Sequence, residues 1–96
     1  MSQYSISLPA CRDLQNISDY FSTGDVEAGE KLLRSFNQKC QQLAQFPNIG
    51  RTYDDLQSGL RGLSLSGYII FYRASDEGIE IVRVVNGRRD LRSLFQ

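Results

Sequence analysis

Residues 67–95 constrain most strongly what this chain can become. Residues 68–73 (YIIFYR) and 79–85 (IEIVRVV) are dense runs of β-branched and aromatic side chains, separated by a polar break, Ala74-Ser75-Asp76-Glu77-Gly78. Runs of this kind joined by a short glycine-bearing break predict a β-hairpin, because branched and aromatic side chains pack well on a pleated surface. Asn86-Gly87-Arg88-Arg89-Asp90 follows at once, a turn carrying the densest positive charge in the chain. The expectation is a rigid sheet that presents arginines to a partner.

A chain of 96 residues suits one domain spanning residues 1–96, able to bury roughly 60–65% of its unfolded surface. With 41% hydrophobic residues, a single core needs neither disulfides nor a metal. The formal net charge is zero. Stable binding to free nucleic acid is therefore not expected, since it depends on neutralising many phosphates. Charge is nonetheless uneven: residues 83–96 carry Arg83, Arg88, Arg89 and Arg92 against Asp90 alone, which is either solvated scatter or a docking patch for an acidic partner. No apolar run has the length of a membrane span and no signal-like segment opens the chain, so no membrane partner and a cytoplasmic location are expected. There is no histidine, which excludes imidazole metal sites and histidine-dependent nucleophilic catalysis. No cofactor or metal is implied.

Along the chain, Tyr4, Ile6 and Leu8 alternate with Ser5 and Ser7, the pattern of a half-buried strand. Pro9 suits a first helical turn with Ser7 as N-cap. Ala10, Leu14, Ile17 and Phe21 then mark one face of a helix, with Arg12, Asp13, Gln15, Asn16 and Asp19 on the other. Gly24 is expected to end it in a left-handed C′ conformation. Asp25 caps a second helix, whose stripe is Val26, Gly29, Leu33, Phe36, Cys40 and Leu43, widened by Leu32. Gly29 would let the two helices approach closely, and Pro47 ends the second one. Cys11 and Cys40 fall on these core faces, within about 4–5 Å along the axis of the hairpin at ~1.5 Å per residue. Both read as buried thiols. Residues 46–62 are mostly loop, held down by Tyr53 and Leu56. A strand over 61–65 turns through Ser66-Gly67 into the hairpin, and residues 90–95 form a last helical turn. The expected fold is α+β: an N-terminal strand, an antiparallel helical hairpin on one face of a mostly antiparallel sheet, and a short C-terminal helix.

Strand parity places Arg61 with Leu63 and Leu65, Arg73 with Ile69 and Phe71, and Arg83 with Ile79, Ile81 and Val85. An arginine among apolar neighbours must pair with an acid or reach an open edge. Glu80 faces the other way, beside Val82 and Val84, so for Arg83 the nearest candidate acids are Asp76, Glu77 and Asp90. Two readings stand side by side: Arg83 as an ion pair holding the tail to the sheet, or Arg83, Arg88 and Arg89 lining an uncovered face where a partner binds. No paired carboxylates, phosphate loop or other catalytic set stands out.

The fragments Ala10…Asp13-Leu14…Ile17…Tyr20, Leu43-Ala44…Pro47-Asn48-Ile49-Gly50-Arg51, Gly59-Leu60-Arg61, residues 68–73, residues 79–85 and Gly87-Arg88-Arg89-Asp90-Leu91, in this order, resemble the RelE/ParE superfamily of type II toxin–antitoxin toxins. The ParE branch is the nearer. The resemblance implies a toxin that stalls DNA gyrase by binding it, without being a catalyst, and that a cognate antitoxin neutralises by wrapping it. Arg61, Arg73, Arg83, Arg88, Arg89 and Arg92 are the candidate partner-binding residues. The RelE branch, ribosome-dependent messenger-RNA nucleases, is the alternative. Its catalytic set matches poorly: Ile69 stands where that branch has an arginine, Gly62 and Ser64 where it has lysines, and Phe95 where it has a tyrosine. Only Arg89 of that set persists. One position also departs from the ParE pattern, Asn86 standing where histidine is common.

Overall fold

The computed structural model describes residues 3–95. Its elements run β1 (Tyr4–Ile6), α1 (Leu8–Ser22), α2 (Val26–Gln45), β2 (Arg51–Thr52), β3 (Arg61–Leu65), β4 (Tyr68–Ser75), β5 (Gly78–Asn86) and α3 (Leu91–Leu94). One five-stranded sheet has the order β1-β5-β4-β3-β2. β1 pairs parallel with β5, and every other pairing is antiparallel. The expected architecture is observed, with the two-residue β2 added inside the long loop. Leu8 belongs to α1 and is exposed rather than strand-like, because Ser7 already caps the helix by accepting the Ala10 N–H at 3.2 Å.

α1 and α2 bury one face against the sheet. Ala10, Ile17, Leu32, Phe36, Cys40 and Leu43 meet Leu65, Ile70, Tyr72, Ile79, Ile81 and Val84 in the larger core. On α2 the buried stripe is Gly29, Leu32, Phe36, Cys40 and Leu43. Leu32 and not Leu33 therefore faces inward, because steps of three, four, four and three follow the 3.6-residue period more closely. Val26, in the first turn, is exposed. Gly29 does what its place predicted: a Cβ there would lie 2.7 Å from Phe21 Cβ, so the helices cross at a distance only glycine allows. Gly24, however, is not left-handed. α1 ends on Thr23 in a right-handed conformation, and the Gly24 N–H donates to the Phe21 carbonyl at 3.2 Å.

The cysteines differ from each other. Cys11 is exposed, because the inward stripe of α1 is Ala10, Asp13 and Ile17 and its neighbour in sequence turns about 100° away. Cys40 is fully buried, and burial pushes its thiol from 9.0 up to about 12. A thiol reagent at pH 8 should therefore titrate one cysteine in the native protein and two after denaturation. The unfolded chain loses this proton near pH 9.0 and the folded chain near 12, so stability should fall as pH rises through that window. A flat alkaline unfolding profile, or two fast-reacting thiols, would contradict this burial.

The sheet face opposite the helices is not open, as parity had suggested. Leu60, Phe71 and Val85 form a second core there, packed by Tyr53, Leu56, Ile69, Val82, Leu91, Leu94 and Phe95. The parity failed at a β-bulge: the β4–β5 register runs Phe71↔Arg83 and then Tyr72↔Ile81, leaving Val82 unpaired. One extra residue swaps the faces of everything beyond it. Val84, not Val85, thus joins Ile79 and Ile81 under the helices. Among the described residues no helix is long and apolar enough to cross a membrane.

Candidate functional site

The six candidate arginines divide into those the fold uses and those it leaves free. Arg83 belongs to the first group, and its partner is none of the acids near it in sequence. Its Nε and Nη2 donate to Oδ2 and Oδ1 of Asp13 at 2.7 and 2.9 Å. Asp13 Oδ2 also accepts the Val84 N–H at 2.9 Å. Asp13, expected on the solvent face of α1, is only 8% exposed. The paired carboxylate raises the Arg83 pKa above its ordinary value, chiefly through these hydrogen bonds and against the cost of burial. This bidentate clamp ties α1 to β5 beside the bulge.

Arg61 is likewise engaged. Its Nη1 donates to the Asn48 and Gly50 carbonyls at 3.2 and 2.8 Å. The same loop is gripped from inside by Tyr72, whose hydroxyl donates to Pro47 O at 2.7 Å and accepts the Gly50 N–H at 2.9 Å. Burial raises the Tyr72 phenol above its ordinary pKa, so it stays protonated as a donor. Arg73 is half-buried on β4 opposite Glu80 of β5.

Arg88, Arg89 and Arg92 are exposed, on a turn held by short-range bonds. The Arg88 N–H donates to Asn86 Oδ1 at 2.9 Å and the Arg89 N–H to the Asn86 carbonyl at 3.1 Å, an Asx-type arrangement. The Gly87 N–H reaches across to the Gly67 carbonyl at 3.0 Å. On the far side Asp90 caps α3, accepting from the Ser93 hydroxyl at 2.7 Å and the Ser93 N–H at 3.4 Å. The Ser93 hydroxyl first, then its N–H, hold the Asp90 carboxyl below its usual pKa. Asp90 is thus committed to the cap beside the three arginines. Phe95 stacks edge-on against Phe71 with centroids 4.9 Å apart, so the residue at the near-terminal position is a core contact. The parts of this site that reading the sequence missed, Asp13 and Tyr72, are polar groups set among apolar residues. That placement was the available signal.

A helical hairpin on one face of a small mixed sheet, with a short C-terminal helix, is the fold expected of a RelE/ParE-type toxin; in this chain a second core closed by the tail and a braced basic turn accompany it. The fold matches a solved structure described as "Chromosomal ParDE TA system from P. aeruginosa" with a TM-score of 0.75, over 90% of this chain and 96% of that one, at 22% identity. Residues 4–91 match the family described as "ParE toxin of type II toxin-antitoxin system, parDE". The chain is 35% identical over 92 residues to Toxin ParE1 of Mycobacterium tuberculosis, covering 94% of each. It is 30% identical over 84 residues to Toxin ParE3 of Caulobacter vibrioides, covering 86% of this chain and 84% of that one. The chain belongs to the ParE toxin family of type II toxin–antitoxin systems.

Proposed function

We propose that this toxin arrests growth by binding DNA gyrase through its basic turn, and that a cognate acidic antitoxin neutralises it. The observation that carries the reading is the exposure of Arg88, Arg89 and Arg92 on a backbone braced at Asn86, Gly67 and Asp90. A cationic surface that is already ordered loses little entropy on docking and steers acidic partners toward it. Arg83 clamps α1 to β5 and Arg61 holds the Asn48 and Gly50 carbonyls, so both brace the scaffold and not the turn; Arg73 lies opposite Glu80, at the far end of β4 from the turn.

The test is a supercoiling assay with purified gyrase. Stoichiometric toxin should inhibit supercoiling and leave cleaved DNA. The pair Arg88→Glu with Arg89→Glu should raise the inhibitory concentration by about tenfold or more, with the unfolding midpoint unchanged because both side chains are exposed. Inhibition should also weaken as salt is raised. Undisturbed supercoiling in the presence of folded wild-type toxin would overturn the reading.

A further inference from the structure

We propose that the partner met by the basic turn is the phosphodiester backbone of the DNA that gyrase holds, so that the toxin recognises the gyrase–DNA complex and not the enzyme alone. This rests on the gyrase reading above and names the ligand of the same turn. The surface is built from two neighbouring loops. Tyr68 of β4 pairs with Asn86 of β5, which sets the β3–β4 turn at Ser66 and Gly67 beside residues 86–90. The Gly87 N–H joins the two loops through the Gly67 carbonyl at 3.0 Å. Ser66, Gly67, residues 86–90 and Arg92 are all exposed.

The make-up of this surface selects its partner. Protein–protein contacts draw most of their affinity from apolar and aromatic anchors at a dry centre. Among the described residues the exposed large apolar side chains are Leu8, Tyr20, Val26, Leu33, Phe46 and Ile49, all on α1, α2 or the loop that follows them. The turn carries none of them. It offers three guanidinium forks, two glycines and the Ser66 hydroxyl. Guanidinium planes match phosphate oxygens in bidentate pairs, and arginine, serine and backbone N–H groups are common donors to a nucleic-acid backbone. A Cβ at Gly67 would meet nothing within 4 Å, and one at Gly87 nothing closer than 3.5 Å. The two glycines thus leave open space over the backbone, where a sugar–phosphate strand can approach closely. Asp90, the one acid in residues 83–96, has both carboxylate oxygens on Ser93 and is not free to pair with the arginines.

Three charges also set a limit. Each neutralised phosphate contributes a slope of about −0.9 in log K against log salt, so three arginines give about −3. That is too few for stable binding to free duplex, as the formal net charge of zero already implies. Gyrase makes up the difference by holding the DNA in place, which raises its effective concentration at the turn.

The test titrates full-length toxin against gyrase alone, a linear duplex alone, and gyrase loaded with that duplex, each over a range of salt. Wild-type toxin should bind loaded gyrase at least about tenfold more tightly than either component alone. Arg88→Gln with Arg89→Gln should abolish that gain and flatten the salt slope by about 2, with the unfolding midpoint unchanged because both side chains are exposed. Arg12→Gln, exposed on α1, should keep the gain. Equal affinity for bare and loaded gyrase, weakened alike by the double variant, would put the turn on an acidic protein surface; it overturns the inference and leaves the gyrase reading standing. Duplex alone bound as tightly as loaded gyrase would make the toxin a DNA binder in its own right and overturn the inference too. So would a gain that survives the double variant, or one lost equally in Arg12→Gln. No binding to gyrase in either form, with supercoiling undisturbed, overturns both readings.

Discussion

Asp13→Ala should lower folding stability by about 3–5 kcal/mol, because it strands a guanidinium and a backbone N–H together. The carboxylate accepts from Arg83 Nε and Nη2 and from the Val84 N–H, all within 2.9 Å. With total stabilities of about 5–15 kcal/mol, this puts the variant near the edge of folding, with Tm lowered by roughly 4–8 °C per kcal/mol. The ion pair itself is not the whole of the effect. Asp13→Leu combined with Arg83→Met removes both charges and leaves only the Val84 N–H unpaired, so its cost should fall to about 1–3 kcal/mol. Urea unfolding of the single and double variants checks this. A double variant as unstable as Asp13→Ala would mean that packing at the α1–β5 contact, and not the stranded charge, sets the loss. A near-neutral Asp13→Ala would mean that water reaches Arg83, whose side chain is 23% exposed, and solvates it.

Arg83 also shows where reading residues in order stops. The element order, the helix caps at Ser7 and Asp25, and the close crossing at Gly29 are local or periodic features, and they were legible. The partner of Arg83 lies 70 positions away, and no local pattern carries that separation. A hint was present nonetheless. Asp13 stands three residues after Ala10 and four before Ile17, inside the buried stripe, and Arg83 stands inside an apolar strand. Two charges, each misplaced by pattern and opposite in sign, satisfy each other. Strand parity failed for a different reason. The bulge at Val82 adds one residue to β5, and composition alone does not announce a bulge. With it went the expectation of an uncovered face, since Val82 and Val85 meet the tail residues Leu91, Leu94 and Phe95 in the second core. The exposed basic turn was legible because charge density is local; whether an arginine is free or engaged is not.

Gly50→Ala should destabilise the protein by about 2–4 kcal/mol, although it adds a single methyl group to a loop. A Cβ at Gly50 would lie 2.5 Å from the Tyr72 hydroxyl oxygen and 2.7 Å from Tyr72 Cε1. That ring is fully buried and cannot swing aside without abandoning its bonds to Pro47 O and Gly50 N. Tyr72→Phe removes the oxygen instead, leaving the buried Gly50 N–H unpaired, for about 1–3 kcal/mol. Adding Tyr72→Phe to Gly50→Ala relieves the oxygen contact but not the ring-carbon contacts at 2.7 and 2.9 Å. The double variant should therefore lose less than the sum of the two single losses while staying below wild type. Arg61 should hold part of the loop in each case, since it grips the Asn48 and Gly50 carbonyls from the other side. Denaturant unfolding with an unchanged m-value is the measurement, and amide exchange at Gly50 is its local check. Additive losses would show that the methyl and the hydroxyl act independently and that the loop, not the ring, yields to the substitution.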